Sequence, residues 1–473
     1  MTLLEARTVS YQYPGSTRGV TPFSLSAARG DFISIEGPSG SGKSTIARCL
    51  SGLIPHLYHG TMQGEVKVGG HLTHTQPLWQ LAEHCGMVFQ NPASQMLGLS
   101  VEEEIIFGLE NLGLDAEQIE ERLNDTVERF QLEALRNRSP QTLSGGEQQK
   151  VALAAIMARQ PDVLVLDEPL SMLDVTAASA LVNDLEALTQ QGTGVVIFEH
   201  RAEYLSAVAD MKTIQLNRHR QNTTTLPVLP EQLPFNNQPI DGALEIQHLT
   251  VHLGGKRVLS DFNLSVEGGQ TVAVVGRNGS GKTTLLRALA GLQKYDGDIY
   301  VAGDRPQFGL VFQNADLQLF NATVQDEVLY KIPTPDMHLF HNIMTALGLT
   351  EYLKTPPLLL SEGEKKRVAL ATVLMQQPRH GILLDEPSLG QDHAHKQMLV
   401  NLAKMLNQAG LLVMMTTHDL PLAAQADQII LIGDGKIIEK GSWAELATRP
   451  AAWEQAGLHI PAWMDTSTKA AVC

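Results

Sequence analysis

A glycine-rich loop that ends in a lysine and a hydroxyl residue occurs twice in this chain, and no other feature limits the possible folds as much. The first copy reads Gly-Pro-Ser-Gly-Ser-Gly-Lys-Ser over residues 37–44, and the second reads Gly-Arg-Asn-Gly-Ser-Gly-Lys-Thr over residues 276–283. Such a loop joins a buried strand to a helix, and its backbone N–H groups bind phosphate oxygens at the positive end of the helix dipole. Because the loop recurs, the sequence predicts two α/β domains, each with a phosphate site.

The side chains of each loop have distinct predicted tasks. Lys43 and Lys282 are predicted to reach β- and γ-phosphate oxygens, and the hydroxyls of Ser44 and Thr283 suit Mg²⁺. Tyr13 is a candidate to stack on the base of a bound nucleotide, although a tyrosine there is explained equally well as an aromatic at a strand edge. The predicted nucleotide-binding residues of the loops are Gly37, Pro38, Ser39, Gly40, Ser41, Gly42, Lys43, Ser44 and Thr45, and Gly276, Arg277, Asn278, Gly279, Ser280, Gly281, Lys282, Thr283 and Thr284.

Two short stretches are typical of the beginnings of anion-binding helices. Residues 143–147 read Leu-Ser-Gly-Gly-Glu, and residues 360–364 read Leu-Ser-Glu-Gly-Glu. In each stretch a serine followed three residues later by a glutamate forms a capping box, and the first N–H groups lie at the positive end of the helix dipole. The first helix is predicted to include Gln148–Ala158 and to end before Pro161. The predicted phosphate-binding residues here are Ser144, Gly145, Gly146, Glu147, Ser361, Glu362, Gly363 and Glu364.

An acid pair follows a buried strand in each half. The apolar run Val163–Leu166 is typical of a strand buried on both faces of a parallel sheet, and Asp167 and Glu168 follow it. Acids at the carboxyl end of such a strand face the ligand crevice, where an aspartate suits Mg²⁺ and a glutamate suits an attacking water. The second half repeats the pair as Asp385 and Glu386.

A loop aspartate and a histidine complete each set of motifs. Asp174 and His200 are matched at one common offset by Asp392 and His418. The apolar run Val195–Phe198 predicts a buried strand just before the first histidine. A lone histidine after a strand is usually structural, but its repetition favours a polar contact with the γ-phosphate.

Composition excludes several classes of function. Lys and Arg number 35 against 51 Asp and Glu, so the net charge is −16 and nucleic acid is a poor candidate partner. No run of apolar residues is long enough to span a membrane, and the N-terminal residues do not form a secretory signal. The three cysteines are scattered and odd in number, which indicates reduced thiols rather than disulfides or a metal site.

Residues 221–241 separate the two halves. They carry four prolines among Thr, Asn and Gln without apolar periodicity, so they predict a semi-extended linker. The expected organisation is a first domain over residues 1–220, this linker, a second domain over residues 242–450, and a C-terminal tail over residues 451–473.

In this order and spacing, the motifs resemble those of ATP-binding-cassette (ABC) ATPases over nearly the whole chain. Each half has a phosphate loop, a glutamine loop at Gln90 or Gln313, a signature sequence at the helix start, a Walker B strand with its acid pair, a loop aspartate and a switch histidine. The implied fold is α/β with two P-loop ABC domains. Each would have a mainly parallel sheet core, an antiparallel β subdomain and a helical subdomain.

The resemblance implies two composite ATP sites in a head-to-tail sandwich. The helix start at Ser144 would complete the site of Lys282, and that at Ser361 would complete the site of Lys43. The implied cofactors are ATP and Mg²⁺. The implied catalytic residues are Glu168, Glu386, His200 and His418, and the implied Mg²⁺ ligands are Ser44, Gln90, Asp167, Thr283, Gln313 and Asp385.

A narrower resemblance follows the glutamine loops. Residues 90–96 and 313–319 align without a gap, and both carry a second glutamine five residues after the first, before an acid-rich helix. This pattern is similar to the fused ATPase (A) components of energy-coupling-factor (ECF) importers, which take up vitamins and trace nutrients such as thiamine, its pyrimidine precursor, or cobalt and nickel ions. The implied partners are a transmembrane coupling (T) protein and a substrate-binding (S) membrane protein, with the chain peripheral to the cytoplasmic face of the cell membrane.

Two other functions stay open at this point. One is the tandem ATPase of a sugar importer, in which second-half motifs commonly decay. The other is a soluble ABC protein that acts on ribosomes or DNA, a class with long charged arms between cassettes. The retained Lys282, Glu386 and His418 argue against the first, and the neutral Pro-rich linker argues against the second.

The second half departs from the pattern at two positions. Glu362 stands where the first signature sequence has Gly145, and Leu253 stands where Tyr13 aligns. Either the Glu362 side chain turns outward without effect, or its charge weakens closure of the Lys43 site and makes the two sites unequal.

Overall fold

The computed structural model describes residues 2–14, 19–38, 41–143, 145–171, 173, 175–199, 204–206, 208–216, 242–388, 391, 393–458 and 460. The chain divides into two compact units, Met1–Thr223 and Thr224–Cys473. Several predictions concern positions outside the described residues, namely those for Ser39, Gly40, Ser144, Asp174, His200 and Asp392 and for the linker 221–241.

The first unit contains an antiparallel sheet and a parallel sheet. The antiparallel sheet has the order β2-β1-β4-β5, and the parallel sheet has the order β6-β7-β8-β3-β9. Strands β7 and β8 are buried at every residue, as their uninterrupted apolar sequences predict. The strands are β1 (Thr2–Gln12), β2 (Gly19–Ala28), β3 (Phe32–Glu36), β4 (Thr61–Val68), β5 (His71–Leu72), β6 (Cys85–Val88), β7 (Val163–Asp167), β8 (Gly194–Glu199) and β9 (Lys212–Gln215).

The helices of the first unit separate into those that pack on the sheets and those that form a helical subdomain. Helix α1 packs between the two sheets through Ile46 and Leu50, while α4 and α5 pack on α6 through Ile105, Leu123 and Val151. The helices are α1 (Lys43–Leu50), α2 (Leu53–His56), α3 (Leu78–His84), α4 (Val101–Glu110), α5 (Ala116–Arg129), α6 (Gly145–Ala158) and α7 (Val175–Gln190).

The second unit repeats this architecture. A three-stranded antiparallel sheet has the order β11-β10-β13, and a six-stranded sheet has the order β14-β15-β16-β12-β17-β18, in which only the last pair is antiparallel. The strands are β10 (Leu244–Leu253), β11 (Lys256–Val266), β12 (Thr271–Val275), β13 (Asp296–Val301), β14 (Phe308–Val311), β15 (Gly381–Asp385), β16 (Leu412–Thr416), β17 (Gln428–Gly433) and β18 (Lys436–Gly441).

The helices of the second unit follow the same plan, and α9 and α10 pack on α11 as a helical subdomain. They are α8 (Lys282–Leu289), α9 (Val324–Val328), α10 (Met337–Ala346), α11 (Glu362–Met375), α12 (His393–Gln408), α13 (Leu420–Ala423), α14 (Trp443–Leu446) and α15 (Pro450–Gln455). The two units therefore confirm the predicted fold class.

The second unit continues in helical structure beyond residue 450, the predicted end of the second domain. Helix α15 begins there, and its Trp453 is fully buried, stacks edge-on against Trp443, and donates its indole N–H to the Leu446 carbonyl at 2.9 Å. A single tryptophan in a short helix has no hydrophobic periodicity by which the sequence could predict this packing. Burial of this side chain fixes the second unit's C-terminal end beyond residue 450.

Among the described residues, no helix is both long enough and apolar enough to cross a membrane.

Candidate functional site

The first phosphate loop lies between β3 and α1. Helix α1 begins at Lys43, and its N-cap Gly42 has a φ of 94°, a left-handed conformation that suits glycine. A Cβ on Gly42 would lie 2.9 Å from a methyl group of Val20, so the position also has no room for a side chain. The Lys43 ammonium donates to the carbonyls of Gly37 at 2.9 Å and Pro38 at 3.3 Å. The loop thus closes around its own lysine.

The second phosphate loop has the same geometry. Gly281 caps α8 with a φ of 102°, and the buried Lys282 ammonium donates to the carbonyls of Gly276 at 2.6 Å and Arg277 at 3.0 Å. The left-handed glycine and the contacts of the lysine with loop carbonyls therefore recur in both units.

The acid pairs end the central strands at the same sheet edge as the loops. Asp167 is the last residue of β7 and Asp385 the last of β15, while Glu168 and Glu386 follow with φ values of 47° and 48°. A left-handed non-glycine residue costs about 1–3 kcal/mol and persists where its surroundings fix it. Here the Glu168 N–H donates to the Phe198 carbonyl at 2.8 Å, and the Glu386 N–H donates to the Thr416 carbonyl at 3.1 Å.

Each glutamate has side-chain partners among the described residues. In the first unit, the Gln90 amide donates to Glu168 at 2.7 Å, and the Lys43 ammonium lies 3.6 Å from the same carboxylate. In the second unit, Nε2 of His418 lies 3.2 Å from Oε1 of Glu386, and the His418 backbone N–H donates to Oε2 at 3.2 Å. The structure therefore joins the predicted glutamine loop, lysine and base in one unit, and the predicted base and histidine in the other.

The aspartates of the pairs have the environment of magnesium ligands. Ser44 hydrogen-bonds Asp167, and the Thr283 hydroxyl lies 3.1 Å from Oδ1 of Asp385. Oδ1 of Asp167 is buried and has no hydrogen-bond partner among the residues that the structure describes. A buried carboxylate oxygen beside a hydroxyl fits a hard cation that prefers oxygen ligands.

The second helix start confirms the predicted capping box. The Ser361 hydroxyl accepts from the Glu364 N–H at 3.4 Å, and the Glu364 carboxylate accepts from the Ser361 N–H at 2.8 Å. The first helix starts at Gly145, while its predicted cap Ser144 lies outside the described residues. The second helix start is therefore a capped N-terminus at the positive end of the helix dipole.

Comparison with known families decides the class of this site. The model of the ABC transporter family matches residues 20–171 and 259–389, which together span more than half of the chain and include both phosphate loops and both acid pairs. This chain belongs to the ABC transporter family. It is an ATP-binding subunit with two cassettes, one in each unit, and proteins of this type hydrolyse ATP.

Relatives align with this chain over more than nine-tenths of its length. A Treponema denticola protein provisionally named an ABC transporter ATP-binding protein is 32% identical, with 93% of this chain and 97% of the relative covered. A Bacillus subtilis protein provisionally named the HMP/thiamine import ATP-binding protein YkoD is 30% identical, with 97% of this chain and 95% of the relative covered. In a complex of archaeal ribosomal stalk protein aP1 with ribosome recycling factor aABCE1, a chain is similar in fold, with a TM-score of 0.60 and 20% identity over 94% of this chain and 92% of that chain.

Burial sets the acid–base character of both ABC sites. It raises the pKa of Asp167 to about 7, an effect that the Glu168 charge increases and the Ser44 hydrogen bond opposes. Burial likewise raises the pKa of Glu386 to about 7, although Lys282 opposes the shift. A base with a pKa near the operating pH is well matched to proton transfer, so Glu386 has the properties expected of its predicted role.

Sequence reasoning missed three supporting side chains in the second ABC unit. The Thr416 hydroxyl donates to Asp385 at 2.7 Å, the Lys366 ammonium donates to the Glu386 carbonyl at 2.7 Å, and the Gln391 amide donates to the Gly363 carbonyl at 3.2 Å. Burial lowers the pKa of Lys366 to about 8, with the nearby Glu386 charge opposing. Alignment of the two halves contains a signal, because Thr416 and Lys366 stand where the first unit has Phe198 and Gln149.

The second glutamine of each glutamine loop supports the loop rather than the nucleotide. Oε1 of Gln95 accepts from the Phe89 N–H at 3.1 Å, and Oε1 of Gln318 accepts from the Phe312 N–H at 3.4 Å. The matching pair of bonds explains why both halves keep a glutamine at this spacing.

A buried glutamate shapes the segment after each glutamine loop. Oε2 of Glu104 accepts from the N–H groups of Leu97 and Gly98, both at 2.7 Å. Oε2 of Glu327 accepts from those of Phe320 and Asn321, at 2.8 and 2.6 Å. Charge-assisted bonds of this kind hold a loop firmly, and here the held loops expose large apolar side chains, namely Leu97, Leu99, Leu317 and Phe320.

Tyr13 lies beside the first phosphate-loop helix. Its hydroxyl is 3.1 Å from that of Thr45 and accepts from Arg48 at 3.3 Å, and its ring packs edge-on against Tyr11. The corresponding Leu253 is exposed. The position of Tyr13 suits a residue next to the nucleotide, and base stacking stays a prediction.

Proposed function

We propose that this chain is the ATP-hydrolysing subunit that energises an ECF-type importer of a vitamin or trace nutrient. The observation that carries the proposal is the duplicated loop that follows each glutamine loop, fixed by Glu104 or Glu327 and bearing exposed apolar side chains. Exposed apolar side chains on a rigid loop are typical of a protein-binding surface. We define these loops, residues 94–99 and 317–322, as the docking loops.

The proposed partners are a transmembrane coupling (T) protein, which seats helices on the docking loops, and a substrate-binding (S) membrane protein. Through them the chain would be held at the cytoplasmic face of the membrane. The Bacillus subtilis relative named for HMP/thiamine import supports a thiamine-type substrate, and cobalt or nickel systems are the other members of the proposed class. Specificity would reside in the S protein.

In the proposed mechanism, two composite ATP sites form when the units close head to tail. Lys43 and Lys282 bind the phosphates, and the opposite signature helix covers the γ-phosphate. Mg²⁺, held by Ser44, Asp167 and Gln90 or by Thr283, Asp385 and Gln313, would neutralise phosphate charge. Those residues supply hydroxyl, carboxylate and amide oxygens, which fit that ion.

Within each proposed site, the glutamate orients and deprotonates the attacking water. Glu386 is already held by His418, so its carboxylate is fixed before substrate binds. The Gln90 amide donates to Glu168, so the glutamine loop next to a docking loop contributes to the ordering of the first base. Hydrolysis would reopen the units, and the docking loops would transmit the motion to the T protein.

Co-purification tests this function. The tagged full chain, isolated from detergent-solubilised membranes of its own organism, should bring down two small membrane proteins identifiable by mass spectrometry. Leu97→Glu with Leu317→Glu should abolish that recovery by placing charges in the docking loops. Leu57→Glu is the matched control, because Leu57 is also an exposed leucine but lies outside those loops. Recovery of ribosomes without membrane proteins would reject the proposal.

A further inference from the structure

The glutamate that replaces a signature glycine is not an isolated charge. Oε1 of Glu362 lies 3.1 Å from the ammonium of Lys365, one helical turn further along α11. The same ammonium lies 2.8 Å from Oδ1 of Asp316, in the turn after the second glutamine loop. The Lys365 side chain is only 10% exposed, while Glu362 is 48% exposed, so the lysine is the fixed member of the pair.

The three members of this cluster differ together from the first unit. The ungapped alignments place Gly145 opposite Glu362, Gln148 opposite Lys365 and Ala93 opposite Asp316. All three first-unit residues are uncharged. The second unit thus has two acids and a lysine between them in place of three neutral residues. Because the lysine charge offsets the acid charges, the three exchanges indicate one charge cluster rather than decay of a motif.

The positive charge of Lys365 offsets the negative charge of Glu362 at the start of α11. An acid in the first turn of a helix is favoured by the helix dipole, but it occupies the positive end that would otherwise attract phosphate. A cation within hydrogen-bond distance of that acid restores part of the positive potential. Hydrogen bonds and charges from Asp316 and Glu362 outweigh the opposing effect of burial and raise the pKa of Lys365, so its charge is secure.

We propose that Lys365 is a positioning residue for ATP hydrolysis, which binds Glu362 and so keeps the second signature helix able to accept the γ-phosphate. The inference rests on the proposed composite sites, because this helix acts on the ATP of Lys43 and Glu168. It resolves the two alternatives for Glu362, since the side chain has a specific partner and its charge is compensated.

The test isolates the site that the second signature helix completes. In a Glu386→Gln background, the remaining steady-state ATP hydrolysis reports the Lys43 and Glu168 site. Lys365→Gln, which installs the first-unit residue, should raise the KM for ATP about tenfold because Glu362 is then uncompensated. Adding Glu362→Gly to Lys365→Gln should return KM to within about twofold of the background, and Lys365→Arg should retain most of the function.

A purely structural lysine would give a different pattern. If Lys365→Gln leaves KM unchanged, or if the double variant is as impaired as Lys365→Gln alone, the proposal is overturned. Asp316→Ala, the first-unit residue at the other end of the bridge, is the matched control and should change KM less than Lys365→Gln, because Glu362 keeps its cation.

The reciprocal exchange decides the question even if Lys365→Gln does not fold. In a Glu168→Gln background, Gly145→Glu should raise the KM for ATP, and adding Gln148→Lys should lower it again. Failure of the lysine to rescue would overturn the proposal. A separate measurement tests the proposed base assignments. Wild-type ATP turnover in the double variant Glu168→Gln with Glu386→Gln would show that those assignments are wrong.

Discussion

The two acid pairs are alike in sequence, but the neighbouring strand carries a different side chain beside each pair. In the first unit burial raises the pKa of Asp167 to about 7, whereas in the second unit burial raises the pKa of Glu386 to about 7. Residue 416 is the side chain that differs. Its hydroxyl donates to Asp385, whereas the first unit has Phe198, which has no side-chain donor. The same motif can thus bear different electrostatics when the adjacent strand changes one side chain.

The largest expected effect is a loss of ATP turnover when both proposed bases are removed. Glu168→Gln with Glu386→Gln should lower kcat for ATP about 10²–10⁴-fold, since each proposed site loses its base. The single variants, measured in steady-state ATPase assays, should differ from each other, because Glu168 is supported by Gln90 and Glu386 by His418. If the two single variants lower kcat equally, the two sites do not differ in ATP turnover.

The raised pKa values predict a gain in stability when the acids are removed. For an acid whose pKa is higher in the folded than in the unfolded state, the folded state binds more protons, so stability falls as pH rises up to about 7. Asp167→Asn and Glu386→Gln should therefore raise the free energy of unfolding by about 2–3 kcal/mol at pH 8, and by much less at pH 5.

Urea unfolding without Mg²⁺ at the two pH values provides the measurement. Glu65→Gln changes an exposed acid of the first unit and serves as the control, with no comparable pH-dependent gain expected. Stabilisation of equal size at pH 5 would show that packing, rather than charge burial, is responsible.

A smaller effect is expected from the hydroxyl that distinguishes the units. Thr416→Val removes a donor to buried Asp385 without changing side-chain volume much, so it should lower the free energy of unfolding by about 1–2 kcal/mol. The control is Thr448→Val, an exposed threonine whose hydroxyl donates to the Glu445 carbonyl. A Thr416→Val variant as stable as the parent would mean that Thr283 alone satisfies Asp385.

The smallest signal comes from the cysteines, which report on the first unit alone. Cys49 and Cys85 are buried, and burial raises the pKa of each thiol to about 12. With Cys473→Ser, no thiol lies in the second unit, and native protein at pH 7.5 should react only slowly with a thiol reagent. Urea titration of this reactivity would give the stability of the first unit separately, and rapid labelling of native protein would contradict the buried placement.

The sequence predicted the features that local rules determine. The glycine-rich loops before the helices at Lys43 and Lys282, the apolar strands that end in an acid pair, and the capping box at Ser361 each follow from a short pattern whose geometry is nearly the same in any protein. Duplication strengthened every one of these predictions, because chance rarely repeats a whole order of motifs.

Tertiary structure decided which partners those motifs have. No local motif assigns a partner to Thr416, Lys366 or Glu327. They support the site because the fold brings them within hydrogen-bond distance of Asp385, the Glu386 carbonyl and a docking loop. Likewise, Glu362 by itself suggested a damaged signature sequence, whereas the fold places Lys365 and Asp316 beside it. Local sequence determines backbone conformation, but compensation of a charge depends on burial and distance, which exist only once the chain has packed.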